Sequence, residues 1–210
     1  MGLLDIQNLS VSYDGKSILS DFNFSILKGE KILIKGNSGI GKSTLFRMIM
    51  GFGKYNSGEI YLEGVPVDAD NIWDIRKKVA YVSQDTDIAE GKVSDLIDEV
   101  FSFKANRNNN GKSDLEKLLN RLSLSPDLVN KEYMKLSGGE KQRVVLVLAL
   151  LSGKDIFLLD EVTSELDTGL KQKVVDIFFD NPQWTVLAIS HDREWETKAM
   201  KVIDFSGRVN

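Results

Sequence analysis

The amino-acid sequence predicts an α/β fold: a mainly parallel sheet, an N-terminal antiparallel β subdomain and an inserted α-helical subdomain. Three observations carry this. Short apolar strands alternate with helix-period segments over much of the chain, the pattern that parallel sheets need for their crossovers. The strand Lys31-Ile32-Leu33-Ile34-Lys35 runs straight into Gly36-Asn37-Ser38-Gly39-Ile40-Gly41-Lys42-Ser43-Thr44, which fits the phosphate-loop spacing G-x-x-x-x-G-K-[ST]. From Gln84 to Lys135 the alternation stops, and helix-forming segments with polar links take over.

In order along the chain, Leu3 to Tyr13 and Phe22 to Leu27 alternate as strands about the turn Asp14-Gly15-Lys16. Ser43 to Gly51 reads as the helix leaving the phosphate loop, and Gly58 to Gly64 and Val79 to Ser83 as further strands. Lys104 to Ser113 is polar enough for a surface loop. Ser113, with Glu116 three residues on, forms a capping-box pattern that predicts a helix to Leu122. The core pattern then resumes: a helix over Gly139 to Leu151, a strand over Ile156 to Leu159, a helix over Leu170 to Phe179 and a strand over Thr185 to Ile189. A short helix and the edge strand Lys201 to Phe205 complete it.

Bulk properties narrow the function. At 210 residues the chain reads as one domain, large enough to bury a substantial core. A net charge of −4 with mixed signs presents no basic face for nucleic acid or anionic lipid. The absence of cysteine excludes disulfides and thiolate metal sites and suits a reducing cytosol. The N-terminus has no signal pattern, and Ile6 stands where a myristoylation motif at Gly2 needs Ser or Thr. No apolar run approaches the roughly 20 residues that span a bilayer; the longest, Val144 to Leu151, reads as a buried helix. Work at a membrane would require another chain to supply the pore.

Three stretches carry chemistry. In the phosphate loop, small residues let backbone N–H groups converge on phosphate oxygens, helped by the positive end of the helix that follows. Lys42 would bridge the β- and γ-phosphates, and the Ser43 hydroxyl would ligate Mg2+. Asp155 to Leu159 is an apolar run ending in Asp160-Glu161, which places two carboxylates at the strand edge where open α/β sheets bind ligands. Asp160 would hold Mg2+ through water, and Glu161 would orient or deprotonate the water attacking the γ-phosphate. Leu136-Ser137-Gly138-Gly139-Glu140 puts a hydroxyl and two glycine amides at a helix N-terminus, a second anion cap.

Phosphate loop, Ser137-Gly138-Gly139 cap and acidic strand end, in that order, resemble the ATP-binding-cassette ATPases of ABC transporters, with a P-loop NTPase core. The resemblance covers Tyr13 to His191 and implies a single domain, with a nucleotide-binding core and β subdomain over 1–83 and 136–210 and a helical subdomain over 84–135. It implies a head-to-tail dimer in which Ser137, Gly138 and Gly139 close over ATP held by the other copy's Lys42. It also makes Gly36 to Thr44 the phosphate ligands, with Thr44 an additional contact. Tyr13 becomes the aromatic that stacks on adenine, a contact of about 1 kcal/mol that barely discriminates bases. Gln84 corresponds to a glutamine that reaches Mg2+ or the attacking water. Asp167 belongs to the loop that crosses the dimer interface, and His191, the sole histidine, to the residue that contacts the γ-phosphate.

Several residues depart from the family pattern: Glu140 for glutamine, Leu148 for arginine, Glu165 for a small residue, and Asp85-Thr86-Asp87-Ile88 for an apolar pair. The resemblance implies a Mg2+-dependent ATPase that drives a separate membrane permease, peripheral on the cytoplasmic face and with no nucleic-acid partner. Two other readings stand beside it: a soluble cassette ATPase serving assembly or another non-transport role, and an ATP-gated interaction module without significant turnover.

Overall fold

The first strand, β1 (Leu4–Tyr13), turns back on β2 (Lys16–Ile26) at Asp14-Gly15. Both turn residues take left-handed angles, φ 50° and 76°, which match the twist of a two-residue hairpin. With β4 (Ser57–Leu62) and the short β5 (Val65–Pro66) they form a four-stranded antiparallel sheet in the order β2-β1-β4-β5. The computed structural model describes residues 2–103 and 111–205, and the side chains of all of these but 111–113.

A second sheet holds five strands, β3 (Lys31–Lys35), β6 (Val79–Val82), β7 (Ile156–Asp160), β8 (Thr185–Ile189) and β9 (Lys201–Asp204), in the order β6-β7-β8-β3-β9. Every pairing in it is parallel. Its inner strands β7, β8 and β3 are built on apolar residues that point to both faces because both faces are covered, whereas the edge strand β9 buries only Ile203. Leu33, Phe157, Leu159, Val186 and Ala188 point into a core shared with the later helices. Their neighbours Ile32, Ile34, Leu158, Leu187 and Ile189 point into a second core shared with the antiparallel sheet. Each such buried side chain stabilises the fold by about 1.5–3 kcal/mol over exposure.

The described residues also form seven α-helices, α1 (Lys42–Ile49), α2 (Ile72–Lys78), α3 (Val93–Ser102), α4 (Gly111–Arg121), α5 (Gly138–Leu151), α6 (Thr168–Phe179) and α7 (Arg193–Lys198), and two short 3-10 turns at Pro126–Asn130 and Tyr133–Lys135. Of the α5 run predicted to be buried, Val144 to Leu148 and Leu151 lie in the core, while Ala149 and Leu150 are partly buried against it. Leu148, where the family pattern has arginine, is thereby a packing residue.

The structure corrects several local expectations. β2 begins at Lys16 rather than Phe22. Its first half breaks alternation, with Asp21 at φ 51° and shifted register, and is held by backbone pairing to β1 instead of an apolar face. α2 has no counterpart among the predicted elements, because Ile75 alone of its residues is buried and leaves no periodic apolar signal. Ser113 stands inside α4, which starts at Gly111, so it is not the N-cap. Most of the loop expected over Lys104 to Ser113 lies outside the described residues.

Candidate active site

The phosphate loop joins the end of β3 to α1. Gly41 has φ 106°, and a Cβ there would lie 2.6 Å from Ile18 Cγ2, so both backbone angle and space require glycine. No side chain caps α1 and no acidic residue stands in its first turn. Its N-terminal amides and dipole are therefore presented to an anion. Lys42 is buried, its ammonium donating to the carbonyls of Gly36 at 2.7 Å and Asn37 at 3.0 Å. The charge is thus stored inside the curve of the loop. Tyr13, half-exposed at the end of β1, shares a cleft of about 550 Å3 with Thr44, Arg47 and Phe52.

β7 and β8 are neighbours, with Asp160 in register with Ile189. Asp160 is 2% exposed and its Oδ1 has no hydrogen-bond partner among the described residues. Burial pushes its carboxyl above the usual range, and the nearby Ser43 hydroxyl acts against this. Its other oxygen faces the Tyr81 hydroxyl at 3.5 Å, and burial with that carboxylate pushes the Tyr81 phenol up to about 12. A buried carboxylate oxygen without a donor, beside a serine hydroxyl, suits a hydrated divalent cation.

Glu161 extends the ladder by one bond, its N–H donating to Ile189 O at 2.9 Å. It then takes φ 51°, which swings the chain off the sheet. Such a left-handed angle costs about 1–3 kcal/mol in a non-glycine residue and recurs at functional sites. His191 Nε2 lies 3.6 Å from Glu161 Oε1. The β7–β8 pairing therefore brings together Asp160, Glu161 and His191. Gln84, exposed, follows β6 by two residues at this same edge, since Val82 is aligned with Leu159.

Ser137 caps α5 in a reciprocal box. Its N–H and hydroxyl donate to Glu140 Oε2 at 2.9 and 3.0 Å, and its oxygen accepts from the Glu140 N–H at 3.3 Å. The backbone bond from Ser137, then its hydroxyl, holds the Glu140 carboxyl below its usual range. The cap engages the Glu140 amide and not those of Gly138 and Gly139. Glu165 lies against these glycines: a Cβ on Gly138 would be 3.3 Å from its carboxylate, and one on Gly139 3.1 Å from its carbonyl. Asp167 N-caps α6, accepting from the Leu170 N–H at 3.0 Å.

The unusual residues after Gln84 tie that segment to α5 and to the turn before it. Asp87 pairs with Lys141 at 2.5 Å, and the Tyr133 hydroxyl donates to the Thr86 carbonyl. Tyr81 is a site neighbour that sequence reasoning misses. Its one signal is a polar-tipped aromatic in an otherwise apolar strand, and it gains meaning only when β6 lies beside β7.

A parallel sheet with a phosphate loop after one strand and a buried and a partly buried carboxylate at the end of another defines a phosphate-loop nucleotide-binding protein. The sequence profile of the ABC transporter family matches residues 19–164, and the chain belongs to that family. The energy-coupling factor transporter ATP-binding protein EcfA1 of Oenococcus oeni is 34% identical over 203 residues, covering 91% of this chain and 72% of the relative. Among solved structures, cbiO1 of Clostridium perfringens, described as part of the ABC transporter complex cbiONQ, is 26% identical. It aligns over 97% of this chain and 84% of its own, with a TM-score of 0.77. A bacterial ABC transporter cassette solved as a dimer shares the fold with a TM-score of 0.84 at 24% identity, over 96% of this chain and 93% of its own.

Proposed function

We propose that this chain is the ATP-binding and ATP-hydrolysing subunit of an ABC transporter, acting as a head-to-tail dimer that drives a separate membrane permease. The observation that carries the reading is the meeting of Lys42, Asp160, Glu161 and His191 at the C-terminal edge of one parallel sheet. Relatives named as transporter ATP-binding proteins support the same conclusion. Among the described residues no helix is long and apolar enough to cross a membrane. In this proposal the pore belongs to a permease partner, and the chain sits peripherally on the cytoplasmic side.

On this reading the residues divide the labour as follows. Gly36 to Thr44 wrap the phosphates, and Lys42 leaves its loop carbonyls to bridge the β- and γ-groups. Ser43, Asp160 and, by its place at the edge, Gln84 would hold Mg2+, which would supply positive charge to the phosphate oxygens. Glu161 orients the attacking water and takes its proton, while His191 contacts the γ-phosphate. Tyr13 stacks on the base. Ser137, Gly138, Gly139 and Asp167 serve the second copy's site. The core and β subdomain occupy 1–83 and 136–210, and 84–135 form the helical subdomain that meets the permease. Work is extracted through the different affinities of open and closed dimers for nucleotide.

The test is tagged Glu161→Gln captured with ATP from detergent-solubilised membranes of the native host, alongside steady-state phosphate release. Loss of a general base lowers turnover by about 10²–10⁴-fold. The expected result is that loss, an ATP-dependent dimer and a stoichiometric multi-span partner. Full turnover in the variant, or recovery with soluble partners alone, would refute the reading.

A further inference from the structure

Behind Glu161 and His191 lies a group of side chains that the chemistry above does not use. Asp192, the residue after His191, is gripped from two sides. Thr163 Oγ1 donates to its Oδ2 at 2.7 Å, and Lys171 Nζ pairs with its Oδ1 at 2.6 Å. Its own N–H donates to Ser190 Oγ at 3.1 Å. Thr163 Oγ1 in turn accepts from the Trp195 indole at 2.9 Å. Thr163 and Trp195 are fully buried, and the Lys171 and Asp192 side chains are about four-fifths so.

The chemistry of these groups sets the direction of the chain. An indole N–H can only donate, so the Thr163 oxygen accepts from it and sends its one proton to the carboxylate. The Lys171 ammonium supplies the countercharge that a largely buried carboxylate needs. Four separate segments are thereby joined: the loop after β7, the first turn of α6, the turn after β8, and α7. Glu161 is bound into the same unit, since Ser164 N–H donates to Glu161 O at 3.2 Å and Leu166 N–H to Thr163 O at 3.1 Å. A displacement of the 162–167 segment, which ends at Asp167, must pull Asp192 and with it the backbone of His191.

We propose that Thr163, Lys171 and Trp195 are positioning residues for ATP hydrolysis: through Asp192 they hold His191 against Glu161 and tie it to the 162–167 loop. The proposal rests on the assignment of Glu161 and His191 to hydrolysis. It makes the loop a lever, so that docking of a second copy on that segment is felt at the histidine. Lys171 and Thr163 touch no substrate in this arrangement, so they govern turnover rather than nucleotide capture.

The test compares Lys171→Ala with Lys171→Arg and Thr163→Val with Thr163→Ser, measuring kcat and KM for ATP. Loss of a charge-assisted bond that matters only when the site is aligned lowers kcat by about ten-fold or more, with KM within about three-fold. The arginine and serine variants restore most of the rate. In a Trp73→Phe/Trp184→Phe background, ATP changes the emission of the remaining Trp195, and Thr163→Val abolishes that response. Three results would overturn the proposal: an unchanged kcat in Lys171→Ala, equal losses in the conservative and non-conservative variants, or a rise in KM at constant kcat. If buried Thr163→Val fails to fold, the Lys171 pair and Thr163→Ser still decide the matter. Failure of the underlying assignment looks different: His191→Ala or Glu161→Gln then turns over ATP at the parental rate, which overturns both readings.

Discussion

Gln142, early in α5, is wholly buried, and neither its Oε1 nor its Nε2 has a hydrogen-bond partner among the described residues. Around it α5 is apolar, with Val144, Val145 and Leu146 buried just beyond. Gln142→Met removes both polar atoms while keeping an unbranched side chain of similar length. The two residues have nearly equal helix propensities, so the backbone contributes nothing to the difference. An unpartnered buried amide costs about 1–3 kcal/mol by protein mutational data. The variant is therefore more stable than the parent by about that amount. In a chain of this size each kcal/mol moves the thermal midpoint by about 2–4 °C, so Tm rises by about 2–12 °C. Urea unfolding supplies the independent check: the midpoint concentration increases while the m-value stays unchanged. A fall in Tm would refute the reasoning, because it would mean that the amide is bonded and worth more than the apolar contact replacing it.

Two further substitutions test the loops that present anion sites. Glu140 has its carboxyl held below the usual range by Ser137, so its stabilising effect is present above an unfolded value of about 4.3 and is lost as pH falls through the lower folded value. Glu140→Gln should accordingly melt below the parent at pH 7, with the gap closing toward pH 3; a gap that does not change with pH would count against the capping-box account. Gly41→Ala meets both φ 106° and a contact of 2.6 Å to Ile18 Cγ2. It should lose about 1–3 kcal/mol of stability and weaken ATP binding by titration calorimetry; a variant equal to the parent in both would show that the loop is not held as described.

Elements with a local cause are legible in the residues themselves. The strand Lys31–Lys35 emerges with the predicted bounds because three apolar residues between two lysines must cross an interior covered on both faces. The phosphate loop is legible because its spacing places every contributing residue within one turn of chain. Ser137 and Glu140 likewise find each other three residues apart, in a reciprocal capping box. Where the cause is not local, the sequence misleads. β2 is longer than its apolar alternation because β1 supplies its ladder, and α2 has too few buried residues to leave a period.

The sequence by itself determined the residue types at the candidate site, the phosphate-loop motif and the strand that ends in Asp160, followed by Glu161, since each is written in contiguous residues. Only the tertiary structure decided that Glu161 meets His191, thirty residues on, because that contact depends on β7 lying beside β8 in one register. It alone set the Tyr81 hydroxyl against Asp160 and joined Trp195, Thr163, Asp192 and Lys171 into one chain of bonds. Spacing along a chain dictates local backbone geometry; contacts between strands and helices arise from how buried faces pack, and packing joins residues whose separation in sequence carries no signal.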